Sequence, residues 1–160
     1  MGKSKRSTIR RIIEIMNAAE LYDRDFAEWA VRNAELLRAG RVADADLEHI
    51  AEEIEAMAKR ERRAMQSRLA RLIQHLLKWQ VQPMKRCASW QSTIAGQRFR
   101  ICRLLEDNPS FRPELTKWID REYEHAVHLA TLDTGFERER FPTVWPYTLD
   151  QTLGQSVLPG

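Results

Sequence analysis

A chain of 160 residues, 43% apolar and 31% charged, is long enough to bury a core without disulfides or a structural metal. Its six glycines and six prolines exclude both a turn-rich all-β chain and a disordered one. No apolar run approaches the length of a bilayer crossing, and the net charge of +3 is small but unevenly spread.

In residues 7–19, Ile9, Ile12, Ile13 and Met16 fall at i, i+3, i+4 and i+7, Ser7 stands at the cap position, and Arg10 and Arg11 lie opposite. This predicts a short basic amphipathic helix within an N-terminal extension, residues 1–19, that docks on the domain or on a sister chain, with contact to a membrane surface as the alternative. The stretch superficially resembles a secretory signal. Arg11 and Glu14 interrupt its apolar run, however, and no small-residue cleavage site follows. A cytoplasmic location is therefore the default expectation, with Cys87 and Cys102 as reduced thiols and Cys102 buried. Met16 offers an alternative start, which would make residues 1–15 dispensable.

A second helix is predicted over 23–39. Asp23 or Asp25 caps it, Phe26, Trp29, Ala30, Leu36 and Leu37 form its inner stripe, and Gly40 ends it. The third, over 45–82, is capped by Asp44 and closed by Pro83. Its inner stripe begins Leu47, Ile50, Ile54, Met57 and resumes at Met65, Leu69, Leu72, Leu76 and Trp79. A helix of that extent is roughly 55 Å long, so part of it is expected to project or to pair with another chain. A helix over 89–106 follows, capped by Ser89, with Gly96 permitting close helix contact. The stretch "EDNPSFRP" is a loop and restart, where Asn108 or Ser110 can cap. A helix over 110–134 ends at Gly135. Thr148 and Gln151 make a capping box for a last short helix, and the tail "LGQSVLP" lies along the surface.

Every segment has a helical period and none alternates as a strand does. The expected fold is all-α: an up-and-down bundle of about four main helices with one long central helix, plus short N- and C-terminal helices. Residues 20–160 are read as a single domain. Five tryptophans, mostly on apolar faces, are read as core.

Several stretches carry a family resemblance: "LYDRDFAEW" (21–29), "DLEHIAEEIE" (46–55), "RLARLIQHLLKWQVQP" (68–83), "SWQSTIAGQR" (89–98), "LLEDNPS" (104–110) and "PYTLDQ" (146–151). In order and content they resemble the bacterial family catalogued as domain of unknown function number 29, over about residues 20–159. The resemblance implies an all-helical, soluble bacterial domain. It implies no activity, cofactor or substrate, and residues 1–19 lie outside it.

The charge layout is the least bland feature of the chain. Six acids and no Lys or Arg lie between Asp44 and Glu55, while ten Lys/Arg and no acid lie between Arg62 and Leu105. Such blocks mark a partner surface or simply complement a helix dipole. Two copies of the long helix packed antiparallel would set Glu48, Glu52 and Glu55 of one chain against Arg62, Arg63 and Arg71 of the other. Lys78, Lys85 and Arg86 extend the basic face. The leading reading is a non-enzymatic interaction module, pairing with itself or with an acidic partner. A rival is nucleic-acid binding through residues 62–103, directed at phosphates rather than bases, because no reader motif is present. A second polar set, Glu61, Arg68 and His75 spaced by seven with Glu122 on a neighbouring stripe, forms either a buried polar layer or edge positions reaching water. The third reading is a metal-dependent enzyme. Glu122-x-x-His125 supplies one half of a bundle metal site, and Asp46-x-x-His49 only imitates the other, so neither metal nor cofactor is expected. No G-x-S-x-G elbow, phosphate loop or Cys–His arrangement supports nucleophilic catalysis.

Overall fold

The computed structural model describes residues 20–154. The helix expected at 7–19 and the tail after Gly154 lie outside the described residues. Among those described, every regular element is helical and none is a strand. Residues 20–24 form a short helical lead-in. The helices are α1 (Phe26–Arg38), α2 (Leu47–Val81), α3 (Ala88–Asp107), α4 (Leu115–Thr134) and α5 (Leu149–Leu153). Short 3-10 segments stand at Val42–Asp44, Pro83–Lys85, Pro109–Glu114 and Arg138–Arg140. The chain divides into two compact units, one up to Lys59 and one from Arg60, and α2 runs unbroken through the junction. No described helix is long and apolar enough to cross a membrane.

In the first unit, Asp25 caps α1 by accepting from the Glu28 backbone N–H, one of the two predicted caps. Gly40 has φ +70°, a left-handed conformation that glycine adopts without steric cost, and it turns the chain away from α1. Asp46, not Asp44, caps α2: its carboxylate accepts from the His49 N–H, while Asp44 pairs with Arg41 at 2.9 Å. The contacts that fasten α1 to the start of α2 are polar as well as apolar. Buried Asn33 donates to the Trp29 carbonyl and accepts from the Asp46 N–H at 2.8 Å, and Trp29 Nε1 donates to Asp46 Oδ2 at 3.1 Å. The expected inner stripe of this unit is only partly inward. Trp29 is buried, but Phe26, Leu37, Leu47, Ile54 and Met57 are exposed.

The second unit holds the main core. Along α2, Met65, Leu69, Leu72, Ile73, Leu76, Leu77 and Trp79 are buried with Ile94, Ile101 and Leu105 of α3 and with Trp118, Ile119, Tyr123, Ala126, Val127 and Ala130 of α4. Each large apolar side chain removed from water contributes about 1.5–3 kcal/mol. Lys78, near the end of α2, meets Asp133 near the end of α4 and the Trp90 ring near the start of α3. These three helices therefore run up, down and up. Pro83 ends α2 as predicted, because the residue before a proline is pushed away from helical geometry.

Four further local expectations are corrected. Cys87, not Ser89, stands before α3, with no side-chain cap. The restart after Asn108 is a 3-10 turn, and α4 begins only at Leu115. Gly96 meets only the end of the Arg100 side chain, so it marks no close helix approach. Cys102 is half-buried rather than buried.

The Thr148–Gln151 capping box is present. Five residues cannot hold a helix alone. Buried Arg98 of α3 donates to the Thr152 and Gln151 carbonyls at 2.9 and 3.0 Å, which satisfies the C-terminal end of α5. Arg98→Met is expected to lower the stability of this unit by about 2–4 kcal/mol, the cost of two carbonyls losing their donors. Urea unfolding followed by tryptophan fluorescence checks it.

Candidate functional site

The charged residues singled out along α2 divide sharply by environment. Glu48, Glu52 and Glu55 are exposed, and so are Arg62, Arg63 and Arg71. Exposed Leu47 (49%), Ile54 (62%) and Met57 (60%) share that helix. Lys78 does not belong to a partner face. It is buried, its ammonium lies 2.6 Å from Asp133 Oδ2, and it sits 4.7 Å from the centre of the Trp90 ring. Lys85 is exposed beside Pro83, whereas Arg86 donates to the Trp79 carbonyl and lies over the Trp79 ring. Arg98 is committed to α5, and Arg103 pairs with Glu106. Much of the basic stretch 62–103 thus serves the chain's own packing.

The four polar-layer residues are not brought together. Glu61 is exposed although it falls on the apolar stripe. His75 is buried, and its Nδ1 lies 3.0 Å from the Arg71 carbonyl. Arg68 is half-buried, with its Nε enclosed and lacking a hydrogen-bond partner among the described residues. Glu122 is half-buried and lines a different feature, a cleft of about 350 Å³ between α2 and α4. Arg63, Gln66, Ser67, Ala70, Arg71 and Gln74 form one wall of that cleft, and Glu122, His125 and Leu129 the other. The Glu122/His125 pair finds no third ligand: among the described residues no group of three His, Cys, Asp or Glu side chains is placed to hold a metal. Two arginines beside the pair also make it a poor cation site.

A third constellation lies in the first unit. Asp46 Oδ2 is 2.7 Å from His49 Nδ1, and the same oxygen accepts from Trp29 Nε1. The Tyr22 ring stacks on the His49 ring at 4.2 Å, and the Tyr22 hydroxyl donates to Glu53 at 2.7 Å. Residues 21–29 and 46–55, two of the stretches that carry the resemblance, meet here. Likewise 89–98 and 146–151 meet where Arg98 holds α5. The described geometry thus joins in space segments that are distant in sequence.

The model of the family described as Domain of unknown function DUF29 matches residues 21–158. The chain belongs to that family. No curated protein matches it, and no solved structure does.

For this DUF29 chain the sequence reading missed Asn33, Asp133 and Arg98 as organising residues. Only Arg98 lay in a segment already under scrutiny. Asp46-x-x-His49 was visible as a metal-like spacing, and the structure uses it as an Asp–His contact at a helix start. The two buried or half-buried histidines shift in opposite directions. Burial, the largest cause, lowers His75, with the bond to the Arg71 carbonyl opposing and the Lys78 charge adding. The hydrogen bond to Asp46, the largest cause, raises His49. An unfolded histidine titrates near about 6.5. The His75 contribution is therefore complete above that value and lost as pH falls below it, because the unfolded chain takes up the proton first. The His49 contribution is complete below that value and lost as pH rises through the raised folded pKa. Acidification from about pH 8 to about pH 5.5 is expected to strengthen amide protection at the start of α2 and weaken it in the core around His75. Hydrogen exchange corrected for intrinsic rates reads both, and Asp46→Asn removes the first effect.

Proposed function

We propose that this DUF29 chain is a non-enzymatic interaction module that pairs with a second copy along α2, the two helices antiparallel. One observation carries the reading: Leu47, Ile54 and Met57, spaced by seven and three, lie exposed on the same stretch of α2 as the exposed Glu48, Glu52 and Glu55. In a register that sets the acids of one copy against the arginines of the other, this stripe packs against the partner's segment near residues 60–70, where arginine stems supply apolar cover. A solvated apolar stripe on a helix needs a cover. Charge selects the orientation. A parallel pair would set the acidic segments of both copies side by side, whereas an antiparallel pair sets Glu48, Glu52 and Glu55 of one copy against Arg62, Arg63 and Arg71 of the other. Such complementarity fixes register and partner more than it adds affinity. The reading places the protein in the cytoplasm, where exposed Cys87 remains a thiol.

Sedimentation at low and high ionic strength tests it. A dimer is expected, weakened by salt because exposed charges are screened over about 8–10 Å. Ile54→Asp is expected to give a monomer with unchanged helicity. Reversal of all three acids to lysine should weaken association by about tenfold or more, given a few tenths of a kcal/mol to about 1 kcal/mol per exposed pair and the added repulsion. A monomer at every ionic strength defeats the reading.

A further inference from the structure

We propose that the cleft between α2 and α4 binds a small organic oxyanion, a phosphate or carboxylate, that also carries a cationic hydrogen-bond donor. The cleft draws on Arg63 and Arg71, which the pairing described above also uses, so a ligand and a second copy would compete for them, and the test below reads the cleft apart from the oligomeric state.

The α2 wall presents Arg63 and Arg71, eight residues apart and so about 12 Å apart along the helix. Between them Ser67 and Ala70 are small and leave the floor low. Neither arginine has a carboxylate within ion-pair distance among the described residues, and Glu122 on the facing wall has no cation within that distance. Charges of both signs therefore surround one concavity without neutralising each other. Guanidinium groups take phosphate or carboxylate oxygens through paired N–H donors. Gln74 gives its amide N–H to Asp133, so its carbonyl oxygen is the atom left to accept. A simple anion would be repelled by Glu122. A ligand with an ammonium or similar donor at its other end satisfies both walls at once. The volume of about 350 Å³ lies at the small end of ligand pockets, which suits a molecule of metabolite size and not a polymer. Leu129 gives the connecting carbons of such a molecule an apolar contact.

The test is an amide-shift titration of the full chain at fixed ionic strength, with inorganic phosphate and phosphoethanolamine as probes and sodium chloride as the reference. Phosphoethanolamine is expected to move amides of 63–74 and 122–129 and to bind about three- to fivefold more tightly than inorganic phosphate, the worth of one exposed ion pair. Arg71→Gln should weaken both by about tenfold, the loss of one charge-assisted contact. Glu122→Gln should abolish the preference by weakening phosphoethanolamine and tightening inorganic phosphate. Using 4-aminobutyrate as a third probe tells a carboxylate ligand from a phosphate one. Three results would each overturn the proposal: shifts no larger than those of chloride, equal affinity for phosphate and phosphoethanolamine in the unmodified chain, or an Arg71→Gln protein that binds as before.

Discussion

A helix enclosed on every side must satisfy its polar side chains inside the protein, and residues 72–79 of α2 impose that demand. All eight are buried, including Gln74, His75 and Lys78. A buried polar group without a partner costs a few kcal/mol and a buried charge far more. Asp133 meets the demand twice, accepting from both Gln74 and Lys78. Trp90 offers its face to the same ammonium. His75 meets it differently, by hydrogen bonding one turn back and by disfavouring the charged form. Asp133 and Trp90 thereby add polar ties to the apolar packing that holds α4 and α3 against α2.

The helical fold was legible because helix signals are local. Asp25, Pro83, Gly135 and the Thr148–Gln151 pair each act on backbone within a few residues, and each ends or begins an element where expected. Burial was less legible. Leu47, Ile54 and Met57 have the same periodicity as Leu69, Leu72 and Leu76, yet one set faces water and the other forms the core. Periodicity shows which side of a helix is apolar and does not show whether anything lies against it. The charge reading erred in the complementary way. It took Lys78 for a surface cation because lysine is rarely buried, and the residue that makes its burial tolerable, Asp133, is 55 positions away. Arg98 and Asp46 belong to the same class, since their roles depend on partners that no local pattern announces.

The two halves of α2 have different duties under the proposed reading. The core half is closed by its own chain. The first half leaves an apolar seam and three carboxylates in solvent. Membership in DUF29 adds no chemistry to this picture, so the weight rests on exposure and charge. The cleft beside α4 draws on another observation, that Arg63, Arg71 and Glu122 form no ion pair among the described residues.

Arg98 also bears on how the polypeptide is completed. Its guanidinium is buried in α3, while the carbonyls it serves are made more than fifty residues later. During synthesis these two acceptors are absent until residues 151 and 152 have been made. A chain that stops short of Thr148 never receives these two acceptors. Loss of α5 therefore costs the α3 side of the bundle its buried tie as well as α5 itself, and a chain cut there is correspondingly easier for a protease to remove.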